Sequence, residues 1–144
     1  MIYDFISNIC DILDIAIPSV SFDTSNFSTD TMMAQVDLSG KQIYLKRHGK
    51  PNPGLLFSIA HELRHIWQMQ HDRALYFSSY RPVQELASID EYNLQLAELD
   101  ANAFAGLVMI DFFQLEPLYE GLSDFAKTKV YERMRYLEST EFSR

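Results

Sequence analysis

The chain has 144 residues, and 12 Lys+Arg against 20 Asp+Glu give it a formal net charge of −8. That length suits one compact core without disulfide staples, and 47 % hydrophobic with 22 % charged residues excludes a disordered tail. The acidic balance speaks against nucleic acid as a partner, because that affinity comes mostly from Lys and Arg; the one dense basic stretch, Lys46-Arg47-His48 with Lys50, is small.

Residues 2–16 place Ile2, Phe5, Ile6, Ile9, Ile12 and Leu13 at helical spacing, with Pro18 as the stop. A Ser/Thr/Asp/Asn-rich loop from about Asp23 to Thr31 follows. Met32 to Asp37 and Gln42 to Arg47 then read as two short strands joined at Ser39-Gly40, an antiparallel hairpin. Asn52 followed by Pro53 is an N-cap with proline at the first helical position, so a helix is expected from about Gly54 to Gln70. Residues 72–88 read as loop, with Arg81-Pro82 as a boundary. A long helix is expected from about Asp90 to Phe113, and a last one beyond Ser123. No repeat or linker divides the chain, so a single domain over 1–144 is expected. Cys10 is the only cysteine, which fits a reducing compartment. Asp4, Asp11 and Asp14 interrupt the N-terminal apolar residues, unlike a leader, and no run reaches the roughly 18 apolar residues of a membrane span. The expectation is a cytoplasmic protein with no membrane partner; the oligomeric state is not legible.

The informative segment is His61-Glu62-Leu63-Arg64-His65, an HExxH sequence within a predicted helix. At ~100° per residue, His61 and His65 lie ~40° apart, while Leu56, Ile59, Leu63, Ile66 and Trp67 gather on the opposite side. Two convergent neutral imidazoles are half of a tetrahedral zinc site, and a glutamate beside them can act on water as base. The third ligand expected is Glu98, 33 residues after His65. It falls among Leu94, Ala101, Ala105 and Met109 on its helix, where an unpaired carboxylate is very costly. A salt bridge to Arg or Lys is its alternative use. Asn102, one turn on, points the same way and can accept the free N–H of a ligating imidazole; a bond to nearby backbone is the alternative. Asp100 groups with Asn93 and Asp111 at ~200–220° from Glu98 and is expected to be solvated. His71 has the spacing of a third histidine ligand, but Gln68 stands where a chain-turning glycine would be needed, so His71 is read as a helix-end residue.

These residues resemble the ImmA/IrrE-like gluzincin metallopeptidases, in which HExxH precedes an ExxA(N/D)xFA helix, here Glu98-Leu99-Asp100-Ala101-Asn102-Ala103-Phe104-Ala105. The likeness spans roughly residues 32–110. It implies an α+β fold: a small zincin-like domain, mostly helical, with a short antiparallel hairpin packed on the HExxH helix. It implies Zn²⁺ held by His61, His65 and Glu98, with Glu62 as catalytic base and acid. It also implies a protein or peptide substrate, a transcriptional repressor being a candidate because several members cleave repressors and many are encoded by phages and mobile elements. Ile43-Tyr44-Leu45 matches the family's edge strand, which pairs with extended substrate. Two departures stand out: no proline stops the apolar segment after Ala105, and Asn102 sits where related gluzincins often carry Asp. The alternative function is a non-catalytic metal-binding regulatory protein on the same scaffold. The oxyanion-stabilising group stays open among Tyr76, Tyr80, Tyr92, Arg81 and His71.

Overall fold

The computed structural model describes residues 1–47, 51–78, 81–82, 85–86 and 88–142. It contains helix α1 (Ile2–Leu13), strands β1 (Ser19–Ser21), β2 (Ala34–Val36) and β3 (Gln42–Leu45), helix α2 (Pro53–His71), a π-helical turn (Ala74–Ser78), and helices α3 (Ile89–Asn93), α4 (Leu96–Phe113) and α5 (Asp124–Thr140). The fold is α+β and mostly helical, as expected.

Helix α1 buries Phe5, Ile6, Ile9, Cys10 and Leu13 on one face. It stops earlier than Pro18 would require, because Asp14 turns left-handed (φ 54°) and its N–H bonds back to Asp11. Asn52 caps α2 as expected, its side chain accepting from the Leu55 N–H at 2.9 Å. Ser123 does the same for α5 through the Ala126 N–H at 3.1 Å.

The hairpin is present, with β2 antiparallel to β3 and Val36 opposite Ile43. Gly40 supplies the left-handed residue of the connection (φ 70°). The sheet corrects one expectation. β1, too short to show any alternation, pairs parallel with β3 (Val20 opposite Ile43), so the order is β1-β3-β2. Ile43-Tyr44-Leu45 is therefore the central strand, and the edge facing α2 belongs to β2.

α2 packs between α1, β2 and α4, and α4 packs in turn between α2 and α5. Leu56, Ile59, Leu63 and Ile66 of α2 are buried, as its periodicity requires, but Arg64, His65 and Gln68 on other faces are buried too because α4 covers them. α4 itself is buried from Ala97 through Met109.

The single helix expected over Asp90–Phe113 is two helices. Gln95 takes an extended conformation (ψ 140°), and its side-chain amide donates to the carbonyls of Tyr92 and Arg81. Of the basic stretch, Lys46 bonds the Asp30 carbonyl and Arg47 lies over the Phe22 ring at 4.3 Å; His48 and Lys50 fall outside the described residues. Among the described residues no helix is long and apolar enough to cross a membrane.

Candidate metal centre

One turn of α2 separates His61 from His65, and α4 presents Glu98 to both. His65 Nε2 lies 2.9 Å from Glu98 Oε1 and 3.1 Å from His61 Nε2, and His61 Nε2 is 3.2 Å from Glu98 Oε2. Ligand atoms about 2.0–2.1 Å from a tetrahedral zinc are separated from each other by about 3.3 Å, so the observed triangle has nearly the dimensions that ion requires. Two imidazole nitrogens with one carboxylate oxygen are also a donor set zinc accepts. Among the described residues no other group of His, Cys, Asp and Glu side chains converges in this way.

Burial alone would raise the Glu98 carboxyl, yet the two imidazoles hold it well below the usual carboxylate range. Burial likewise pulls His65 down, but Glu98, Glu62 and Gln68 together carry it up to about 9. Without a metal the triad is thus a buried carboxylate neutralised by protonated imidazole, an arrangement in which positive charge at the centre is obligatory. Glu62, half-buried, is raised by burial; the neighbouring imidazoles and a hydrogen bond from the Val36 backbone oppose that rise, and Glu98 adds to it.

His61, Glu62 and Glu98 line an open cleft of about 420 Å³, walled by Met33 and Ala34 on the β2 side and by Tyr92, Asn102 and Tyr119 opposite. Asn102 Oδ1 is 2.8 Å from His61 Nδ1. Tyr119 donates to the Asn102 carbonyl at 2.8 Å, and burial pushes its phenol well above the usual range. Its part in the wall went unnoticed in the sequence. Gly106, one turn past Asn102 inside a helix, was the available signal: a Cβ there would lie 2.2 Å from the Tyr119 hydroxyl.

Asp100 corrects the helical-wheel reading. It is fully buried, accepting from Arg64 Nε at 2.7 Å and Nη2 at 3.1 Å, from Gln68 at 2.8 Å and from Arg133 of α5 at 3.0 Å. Arg64 also pairs with Glu141 at 3.0 Å and lies 3.7 Å from the Trp67 ring centroid. Burial opposes ionisation of both groups, yet each holds the other charged. The side of α4 expected to be solvated instead meets cations from both α2 and α5.

Of the groups considered for oxyanion stabilisation, Tyr92 reaches the cleft, its hydroxyl donating to Glu98 Oε1 at 3.0 Å. Residues six apart on one continuous helix would point ~120° apart; the interruption at Gln95 lets Tyr92 fold back over Glu98. Tyr76 is buried with its ring 5.4 Å from that of His65. Arg81 is exposed and tied through its backbone to Gln95. His71 is exposed at the end of α2, near the Asp14 carbonyl at 3.3 Å and away from the triad. Tyr80 falls outside the described residues.

A two-histidine, one-glutamate cluster on two packed helices, with a second glutamate inside the HExxH turn and a strand edge across the cleft, defines the zincin class of metallopeptidase-like domains. A family model for the IrrE N-terminal-like domain of the M78 peptidases matches residues 10–140, and the chain belongs to that family. Comparison with curated proteins and with solved structures finds no match.

Proposed function

We propose that the chain is a zinc-dependent peptidase that hydrolyses peptide bonds of a protein or peptide substrate. The observation carrying this reading is the convergence of His61, His65 and Glu98 at the floor of an open cleft. Three protein ligands leave a coordination position free, the pattern of catalytic rather than structural zinc. When bound there, zinc supplies Lewis-acid polarisation of a carbonyl oxygen and acidifies a water.

The chain's own residues do the rest. Glu62 accepts the proton of the attacking water and returns it to the departing amine, and burial, which raises its carboxyl, favours its holding that proton in between. Asn102 holds the His61 ring through Nδ1. Tyr92 is the donor assigned to the developing oxyanion, since its hydroxyl is already aimed into the centre. An extended substrate pairs with the exposed edge of β2, which sets its scissile bond across the triad. A transcriptional repressor as substrate, and a cytoplasmic setting, rest on the family resemblance and on a lone cysteine buried in α1.

Metal analysis of chain purified without a histidine tag tests the reading. Wild type is expected to carry about one zinc, Glu98→Ala to lose it, and Glu62→Gln to keep it while no longer cleaving an unstructured protein substrate. Tyr92→Phe should keep the zinc and slow cleavage about 10²-fold, the usual loss for one oxyanion donor. Equal zinc in wild type and Glu98→Ala would refute the triad; undiminished cleavage by Glu62→Gln would refute its role and favour a binding protein.

A further inference from the structure

The two imidazoles are held by different means, and the difference assigns a task to a residue outside the cleft. His61 Nδ1 meets one amide, Asn102, on the cleft wall. His65 Nδ1 lies 2.8 Å from Oε1 of Gln68, which is fully buried. Nε2 of the same amide lies 2.9 Å from the Ala97 carbonyl and 2.8 Å from Asp100 Oδ2.

The direction of every bond in this chain follows from its far end. The Arg64 and Arg133 guanidiniums can only donate, so Asp100 between them is an ionised acceptor. An ionised carboxylate and a backbone carbonyl both demand a donor, which puts the Gln68 NH₂ toward them and its carbonyl oxygen toward His65. A carbonyl can only accept, so His65 Nδ1 must carry a proton and donate it. In the neutral imidazole, Nε2 is then the bare nitrogen, and it faces His61 and Glu98. Had Gln68 been turned over, its NH₂ would face Nδ1, the ring proton would move to Nε2, and the metal-facing lone pair would be lost.

We propose that Gln68 is the positioning residue of the metal centre, the link through which the Arg64–Asp100–Arg133 cluster holds His65 with Nε2 free to ligate. The proposal rests on the metal reading above. It explains why a glutamine three residues beyond His65 is buried in the polar seam between α2 and α4 rather than replaced by an apolar side chain, and why α5, distant from the cleft, contributes Arg133.

Cobalt(II) titration of the chelator-stripped chain, read by its d–d absorption, tests the assignment. Gln68→Met keeps the side-chain length and removes both amide functions. With near-UV circular dichroism unchanged, it should bind cobalt(II) about 10–100-fold more weakly, the usual loss for a group that orients a ligand. In the zinc-loaded chain, the exchange-protected Nδ1 proton of His65 seen by ¹⁵N-edited NMR should disappear in this variant. A packing role alone would not remove that signal. If Gln68→Met does not fold, Asp100→Asn gives the second reading: it removes the ionised acceptor that fixes the Gln68 NH₂, frees that amide to flip, and should weaken cobalt binding without touching His65. Unchanged affinity with the Nδ1 proton retained, in either folded variant, overturns the proposal. A wild-type chain that takes up no cobalt(II) overturns the metal reading and the proposal with it.

Discussion

Asp100→Ala is the sharpest perturbation of the fold, because two readings of the same residue differ in the size of its effect. A solvated helix residue replaced by alanine changes stability by about 0.5 kcal/mol at most. In the structure the carboxylate is fully buried and receives donors from Arg64, Gln68 and Arg133. Removing one partner of a buried ion pair costs about 3–5 kcal/mol, because the other charge stays behind. Here Arg64 keeps Glu141 and the Trp67 face, Gln68 keeps the Ala97 carbonyl, and Arg133, 20 % exposed, can turn to water. The loss therefore belongs at the low end, about 3 kcal/mol, or about 6–12 °C in Tm for a domain of this size. Urea unfolding followed by far-UV circular dichroism measures it, with chelator present throughout so that metal linkage does not contribute. A loss below about 1 kcal/mol would refute the buried cluster as a stabilising unit. Arg64→Met combined with Asp100→Leu removes both charges together and should cost less than Asp100→Ala alone, a coupling that independent surface sites do not show.

Two further outcomes follow from particular contacts. Gly106→Ala drives a Cβ to 2.2 Å from the Tyr119 hydroxyl and should cost about 1–2 kcal/mol after the better helix propensity of alanine is counted. In a Tyr119→Phe background the clash is gone, so the same substitution should become neutral or stabilising in urea unfolding; an equal loss in both backgrounds would refute the close approach as its cause. The metal-free chain should lose stability as pH rises from about 6.5 through 9, since His65 is raised to about 9 and a raised base contributes only while the folded state holds the extra proton. The full effect is about 3 kcal/mol. Glu98, held low, contributes with the opposite sense, its share present above about 4.5 and vanishing as pH falls. Urea midpoints across pH 4–9, with chelator, should show this maximum, and a His65→Ala chain should lose the alkaline fall; a wild-type midpoint that stays flat from 6.5 to 9 would refute the coupling.

Much of the centre is legible because an α-helix converts spacing into direction. His61 and His65 point one way from α2 whatever surrounds them, and Glu98 and Asn102 share a direction on α4 for the same reason. Local signals are legible on the same terms: Asn52-Pro53 and Ser123 cap because their side chains reach N–H groups three residues on. The interruption at Gln95 was hidden because the apolar spacing runs on across it. What breaks the helix is a glutamine side chain bonding the carbonyls of Tyr92 and of distant Arg81, and a contact with Arg81 has no trace in a periodic pattern. β1 was hidden because three residues are too few for alternation and its partner strand is remote in sequence.

Asp100 shows where such reasoning fails in principle. A helical wheel divides a helix into a core side and a water side, and it holds only while a single neighbour covers the helix. α4 has two neighbours: of these, α2 alone meets Glu98, through its imidazoles, while Asp100 is met by Arg64 and Gln68 of α2 and by Arg133 of α5. A carboxylate can enter either face if a cation meets it there, and both faces of α4 use that rule. Glu98 meets the imidazoles, where charge can be exchanged for a metal ion, whereas Asp100 meets two guanidiniums, which stay charged at any working pH. The first arrangement is suited to ligation and the second to fixing geometry. Gln68, buried between them, touches both.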